Sequence, residues 1–168
     1  MKIDFSDMSE IKRIGFVGFK TMSELFADSS VIPKIKGIYV VLCVDGKKPE
    51  FLKVGTGGHY RGKNPNISIL GLENEWVEGA YAVYIGKAGG GTSDSTLNSR
   101  LNQYFSFGQG KNVPHWGGRL IWQLKNSRDL FVCWKPLPYD EPREIERDLI
   151  RDFKVQYNEK RPFANLRD

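Results

Sequence analysis

Only two histidines, His59 and His115, and two cysteines, Cys43 and Cys133, occur in the whole chain. So small a set argues against a histidine-rich metal cage and against a Ser/His/Asp triad. The cysteines stand in separate apolar, strand-like runs with no CxxC motif, which reads as two buried thiols rather than a structural zinc site. No uncharged apolar run approaches the roughly 18 residues of a transmembrane helix. The first stretch lacks the basic start, apolar core and small-residue cleavage site of a secretion signal. A cytoplasmic protein with no membrane partner is therefore expected.

A second scarcity is local. Between Ser95 and Arg128 there is no Asp or Glu, while Arg100, Lys111, Arg119, Lys125 and Arg128 are all present. Those five charges equal the net charge of +5 of the whole molecule. Evenly scattered lysines would suggest a solvated face. An acid-free segment that also holds four glycines and five aromatics suggests a surface made for a polyanion.

What is present is ordinary for a folded protein. The 168 residues are 40% hydrophobic and 27% charged, enough for one hydrophobic core. Neither internal repeats nor a low-complexity linker divide the chain, so residues 1–168 read as one domain. Residues 1–34 form a lead-in arm, in which Thr21 and Glu24 have capping-box spacing for a brief helix before Pro33. Gly37 to Val44 is a nearly continuous run of β-formers, as in an interior strand. Asp45-Gly46 signals a turn, after which Phe51 to Val54 is predicted to return as a second strand. A Gly-rich basic loop follows, then a helical turn over 72–78 and a strand over 80–85. The spacing of Leu97, Leu101, Tyr104 and Phe105 predicts a helix over about 95–106. A second basic Gly-rich loop spans 108–118, and 119–124 fits helix or strand. Leu130 to Trp134 reads as a strand, and 141 to about 159 as a helix with Pro142 in its first turn.

One charge in that last helix is out of place. At 100° per residue from Ile145, Leu149, Phe153, Tyr157 and Ile150 fall between about 40° and 140°. Glu144, Arg147, Asp148, Arg151, Asp152 and Lys154 fall between about 180° and 340°. Glu146 sits at about 100°, inside the apolar arc. A carboxylate buried there is costly unless something pairs with it. A structural salt bridge is one explanation. The other is a ligand for Mg²⁺ or Mn²⁺, whose preference for hard oxygen suits one carboxylate plus waters and a phosphate. On the preceding helix Arg100 and Tyr104 stand four apart and point the same way, and a guanidinium fork suits phosphate.

These residues, in this order, resemble the GIY-YIG nuclease superfamily. Gly37-Ile38-Tyr39 and Tyr84-Ile85-Gly86 match the two name-giving tripeptides. TLNSRL at 96–101 is similar to the helix with the family's arginine, and Tyr104 lies four residues on. REIERDLI at 143–150 resembles the glutamate-bearing helix, with Glu146 as the metal ligand, and RPFAN resembles the closing segment with its asparagine, Asn165. The likeness spans 37–165. It implies an α/β (α+β) fold: a small central antiparallel sheet of about three strands flanked by helices. With 44 residues between Tyr39 and Tyr84, it also implies an insertion over 45–79.

By this resemblance the chain is expected to be a DNA endonuclease using one divalent cation, Mg²⁺ or Mn²⁺. Tyr39, Tyr84, Arg100 and Glu146 would be catalytic, with Tyr39 the candidate base and Tyr84 positioning water or phosphate. Lys87, Tyr104 and Asn165 would support them. Ionising a tyrosine of pKa about 10 at pH 7 costs roughly 4 kcal/mol, and Lys87 is the candidate cation to offset it; Asn165 would brace the phosphate or the tyrosines. Arg61, Lys63, Lys111, His115 and Arg119, on the two Gly-rich segments, are the candidate DNA contacts. Monomer and homodimer remain open. A non-catalytic DNA-binding module would use the same surface without the chemistry. GKAGGG at 86–91 lacks the Ser or Thr and the upstream spacing of a P-loop, and a purely structural domain leaves Glu146 unexplained.

Overall fold

The structure is a computed structural model that describes residues 2–45 and 47–168. Among these residues it is an α+β fold, with one open four-stranded antiparallel sheet and five α-helices. The strands are β1 (Val17–Thr21), β2 (Gly37–Leu42), β3 (Ala82–Ala88) and β4 (Phe131–Pro136), in the spatial order β1-β4-β2-β3. The helices are α1 (Met8–Arg13), α2 (Met22–Ala27), α3 (Ile69–Glu75), α4 (Leu97–Gly108) and α5 (Pro142–Gln156).

Strand β2 is central, and every one of its residues is buried, which is why its sequence is apolar without alternation. Its odd side chains, Tyr39 and Val41, pack towards α2, α4 and the 3₁₀ turn Arg119–Gln123. Its even ones, Ile38, Val40 and Leu42, pack towards α1 and α5. Two apolar layers thus enclose the sheet.

The sheet has four strands rather than about three because the N-terminal arm supplies one. After α1, β1 pairs with β4 at the far edge, Val17 opposite Trp134 and Thr21 opposite Phe131. Thr21 then caps α2 with the reciprocal Glu24 bonds that its spacing predicts. The predicted return strand over Phe51–Val54 does not form. Both edges of β2 are taken, by β3 and β4, so this segment bonds elsewhere. Phe51 makes an isolated bridge to Leu124, and Leu52 N–H donates to the Gln123 carbonyl. Gly46, half of the expected turn, lies outside the described residues.

Several local readings meet the structure with shifted ends. The helical turn becomes α3, capped by Ser68. Helix α4 is capped by Thr96 and Ser99, each accepting from the other's backbone N–H, and buries Leu97, Leu101, Tyr104 and Phe105. Helix α5 opens with Pro142 in its first turn.

The candidate active-site cleft

A cleft of about 1290 Å³ runs along the edge strand β3. At this edge, side chains from helices on both faces of the sheet reach a common space. Tyr39 comes from β2, Tyr84 and Lys87 from β3, Arg100 from α4, and Glu146 from α5; all five line the cleft, with Asn165 from the C-terminal segment.

Local backbone features aim these groups. In the β2–β3 pairing, Val41 is opposite Tyr84 and Leu42 opposite Ala82, so Val83 is an extra residue, a bulge. A bulge bends its strand and re-aims the adjoining side chain; here both Val83 and Tyr84 join the α4-side core. The Tyr39 and Tyr84 rings meet edge-on at 5.9 Å. Gly37 lets β2 pass close to β4 and α4, since a Cβ there would overlap the Lys135 carbonyl and the Leu97 side chain.

Asn165 acts on the backbone of this strand. Its Oδ1 accepts from Ile85 N–H and its Nδ2 donates to the Ile85 carbonyl, each at 2.9 Å. The side chain therefore pairs with the edge strand as a neighbouring strand would, between Tyr84 and Gly86.

Charge in the cleft is unbalanced. Arg100, Lys87 and Arg119 are joined by Arg143, Arg147 and Arg167, against Glu146 and Asp168. Asp168 is engaged with Lys154 at 2.9 Å and Arg161 at 3.5 Å. Among the described residues Glu146 makes no ion pair or hydrogen bond. Burial pushes its carboxyl above the ordinary value, against the opposing pull of Lys87, Arg100 and Arg143. Arg100 is held by Gln103, whose Oε1 accepts from Nη1 at 2.6 Å, and it too makes no ion pair among the described residues. The described residues contain no cluster of three or more His, Cys, Asp or Glu suited to a metal. A half-buried carboxylate without an ion pair nonetheless fits a hard cation that keeps most of its waters, and among the described residues lining the cleft Glu146 is such a carboxylate.

The tyrosines are harder to ionise than free ones. Burial first, then Tyr84, raises the Tyr39 phenol well above its usual value, and burial raises Tyr84 less far, with Tyr39 and Arg100 pulling it back. Tyr104 is fully buried, its hydroxyl donating to the Gly118 carbonyl at 2.8 Å. It sits behind the tyrosine pair rather than in the cleft.

Of the predicted DNA contacts, Arg119 lines the cleft, its guanidinium 4.4 Å above the Trp116 ring. Arg61, Lys63 and Lys111 are exposed on a separate patch, where the two Gly-rich segments meet: Arg61 N–H donates to Asn112 Oδ1, and a Cβ on Gly58 would overlap the Lys111 carbonyl. None of the three lines the cleft. His115 is a correction. It is buried, with its ring on Tyr104 at 4.3 Å, so it has no surface to offer a phosphate. Sequence reasoning passed over Arg143, Arg147, Arg167, Gln103 and Trp116. Arg143 had a signal, being three residues before Glu146 and so on its side of the helix.

Comparison with protein-family models, characterised proteins and solved structures gave no match. Among the described residues no helix is long and apolar enough to cross a membrane.

Proposed function

We propose that this protein is a metal-dependent DNA endonuclease that hydrolyses phosphodiester bonds in the manner of the GIY-YIG nucleases it resembles. One observation carries the reading: Tyr39, Tyr84, Arg100 and Glu146, from four separate elements, line a single cleft. Private burial of Glu146 far from the tyrosines would have spoken against it.

Within this reading each group has a distinct task. Six cationic side chains along the cleft receive the phosphate backbone. Arg100, oriented by Gln103, holds the non-bridging oxygens as negative charge grows on them. The tyrosine pair holds the attacking water and takes its proton. Glu146 would hold one Mg²⁺ or Mn²⁺, which would supply positive charge against that growing on the phosphate and the departing 3′ oxygen. Lys87 and Arg143 flank the carboxylate and favour its charged form.

The test is a strand-resolved cleavage assay on plasmid, branched and single-stranded DNA with Mg²⁺ or Mn²⁺, run alongside Glu146→Gln. Cleavage by the wild type is expected to fall at least ~100-fold in the variant while DNA binding is kept. Binding without cleavage by the wild type would leave a DNA-binding module; near-normal cutting by folded Glu146→Gln would remove the metal role.

A further inference from the structure

Behind the tyrosine pair lies a buried histidine that the proposed chemistry does not use. His115 is 1% exposed, and its Nε2 lies 3.4 Å from the Tyr39 hydroxyl. Its Nδ1 is buried with no hydrogen-bond partner among the described residues. Burial, then the nearby Arg100 charge, depresses its pKa well below the ordinary value, so the ring is neutral and carries one proton.

Where that proton sits follows from what each choice strands. A proton on Nδ1 leaves a buried N–H without an acceptor; a proton on Nε2 leaves only a bare lone pair. Orphaned buried N–H groups are the rarer of the two kinds. Nε2–H therefore donates to the Tyr39 oxygen, and the Tyr39 O–H is free to donate onward. The neighbouring phenol is Tyr84, whose ring meets that of Tyr39 edge-on at 5.9 Å, and a hydrogen bond from Tyr39 would make it easier to ionise. Tyr84 is also the less enclosed phenol, 6% exposed against 1% for Tyr39. Its oxygen borders Gly117 on the cleft wall.

We propose that His115 is a positioning residue: it fixes Tyr39 by a hydrogen bond so that Tyr39 donates to Tyr84, making Tyr84 the phenol that meets the attacking water. This rests on the nuclease reading for its chemistry and on the His115–Tyr39–Tyr84 geometry for its order. In the step implied, Tyr84 has already lost its proton to solvent. A water O–H bond breaks and its proton joins the Tyr84 oxygen; the hydroxide forms the new P–O bond as the bond to the 3′ oxygen breaks, and that oxygen takes up a proton from solvent, balancing the one Tyr84 had released. Tyr39 and His115 keep their protons and stabilise the Tyr84 anion from behind. The role of candidate base thereby moves from Tyr39 to Tyr84, and the HWGGR segment at 115–119 gains a function: His115 below Tyr39, Gly117 and Gly118 against Tyr84 and Tyr104.

Two measurements test it on the full chain. Long-range proton–nitrogen NMR of the wild type reads the tautomer without any need for activity. Nε2 protonated and Nδ1 bare is expected; the opposite tautomer or an imidazolium overturns the proposal even if the protein cuts DNA. The second uses His115→Gln, whose amide N–H reaches the Nε2 position, with His115→Asn, whose amide stops near Nδ1, and His115→Leu, which has no donor. For folded variants at saturating DNA, Gln should turn over within ~3-fold of wild type. Asn and Leu should fall by at least ~10-fold, the scale of one hydrogen bond to a charged group, with DNA affinity unchanged. Equal losses in Gln and Asn, or no loss in Leu, would overturn the positioning role. A wild type that cuts no DNA would refute the nuclease reading, and the NMR result would still decide the hydrogen-bond order.

Discussion

The ring of Tyr39 occupies the space in which a side chain of Gly86 would stand: a Cβ at Gly86 would overlap the Tyr39 Cζ and hydroxyl oxygen. The two residues are cross-strand partners on β2 and β3, so the last residue of one tripeptide is the seat of the other's tyrosine. Gly86→Ala should therefore force Tyr39 from its position. We expect a loss of about 1–3 kcal/mol in urea unfolding, as for overpacked cores, together with a drop in DNA cleavage in the fraction that stays folded. Wild-type stability and cleavage in this variant would show that the close approach is dispensable.

Glu146→Gln separates function from stability, because the two should move in opposite directions. Burial raises the Glu146 carboxyl above its ordinary value. An acid with a higher pKa in the folded state binds its proton more tightly there. Its contribution to stability is therefore fully present below the unfolded pKa of about 4.3 and is lost as pH rises through the folded value. At pH 7 the charged carboxylate opposes folding. Thermal melts of Glu146→Gln should match or exceed the wild type at pH 7 and converge with it below about pH 4, while cleavage collapses. A lower melting temperature at pH 7 would reveal a stabilising ion pair in place of a poised ligand.

How much of this was legible beforehand depends on whether a residue's partners lie nearby in sequence. Strand β2 announced itself because burial on both faces demands an unbroken apolar run. Helix α4 did so because its apolar stripe is local. Glu146 stood out because a helix wheel exposes a charge in an apolar arc. The residues that were missed have distant partners. Strand β1 is a five-residue edge strand containing Gly18 and Lys20, and its pairing with β4 leaves no local period. Phe51–Val54 carries a strand's composition, yet β2 has no free edge to offer it. His115 looked like one more polar residue in a basic loop, and only the fold puts it beneath Tyr39.

Gln123 is a residue of the same hidden kind. It is buried, and its amide ties together two parts of the 45–79 segment: Nε2 donates to the Leu52 and Ile67 carbonyls at 3.0 and 2.9 Å, and Oε1 accepts from Ile67 N–H at 2.9 Å. Gln123→Leu keeps the bulk and strands those backbone groups. An unfolding loss of about 1–3 kcal/mol is expected, with faster hydrogen exchange at the Ile67 amide. Unchanged exchange there would mean that other contacts hold this segment.

Asn165 presents both a donor and an acceptor to Ile85 on the edge of β3 away from β2. Asn165→Asp keeps the acceptor but turns a carboxylate oxygen towards the Ile85 carbonyl, whereas Asn165→Ala removes both bonds. Each should cost about 1–3 kcal/mol, with Asp the worse at pH 7 and recovering as acid protonates it. Because Tyr84 and Gly86 flank Ile85, cleavage should fall in both variants even at temperatures where they remain folded. Full activity in folded Asn165→Ala would confine the residue to stability.

On the proposed reading, salt dependence tells which of two cationic surfaces would receive the DNA. Arg143 and Arg147 line the cleft beside Glu146, whereas Arg61 and Lys63 stand on the patch near Asn112. Each phosphate contact contributes a slope of about 0.9 to the fall of log affinity with log salt. If the strand lies in the cleft, Arg143→Ala and Arg147→Ala should each lower the slope by about 0.9, and the double change Arg61→Ala with Lys63→Ala should leave it unaltered. The Glu146 carboxylate sits among those arginines, so Glu146→Gln should strengthen binding slightly without changing the slope. The reverse pattern, with the slope carried by Arg61 and Lys63, would put the duplex across the 45–79 segment and leave the cleft to receive only the scissile phosphate.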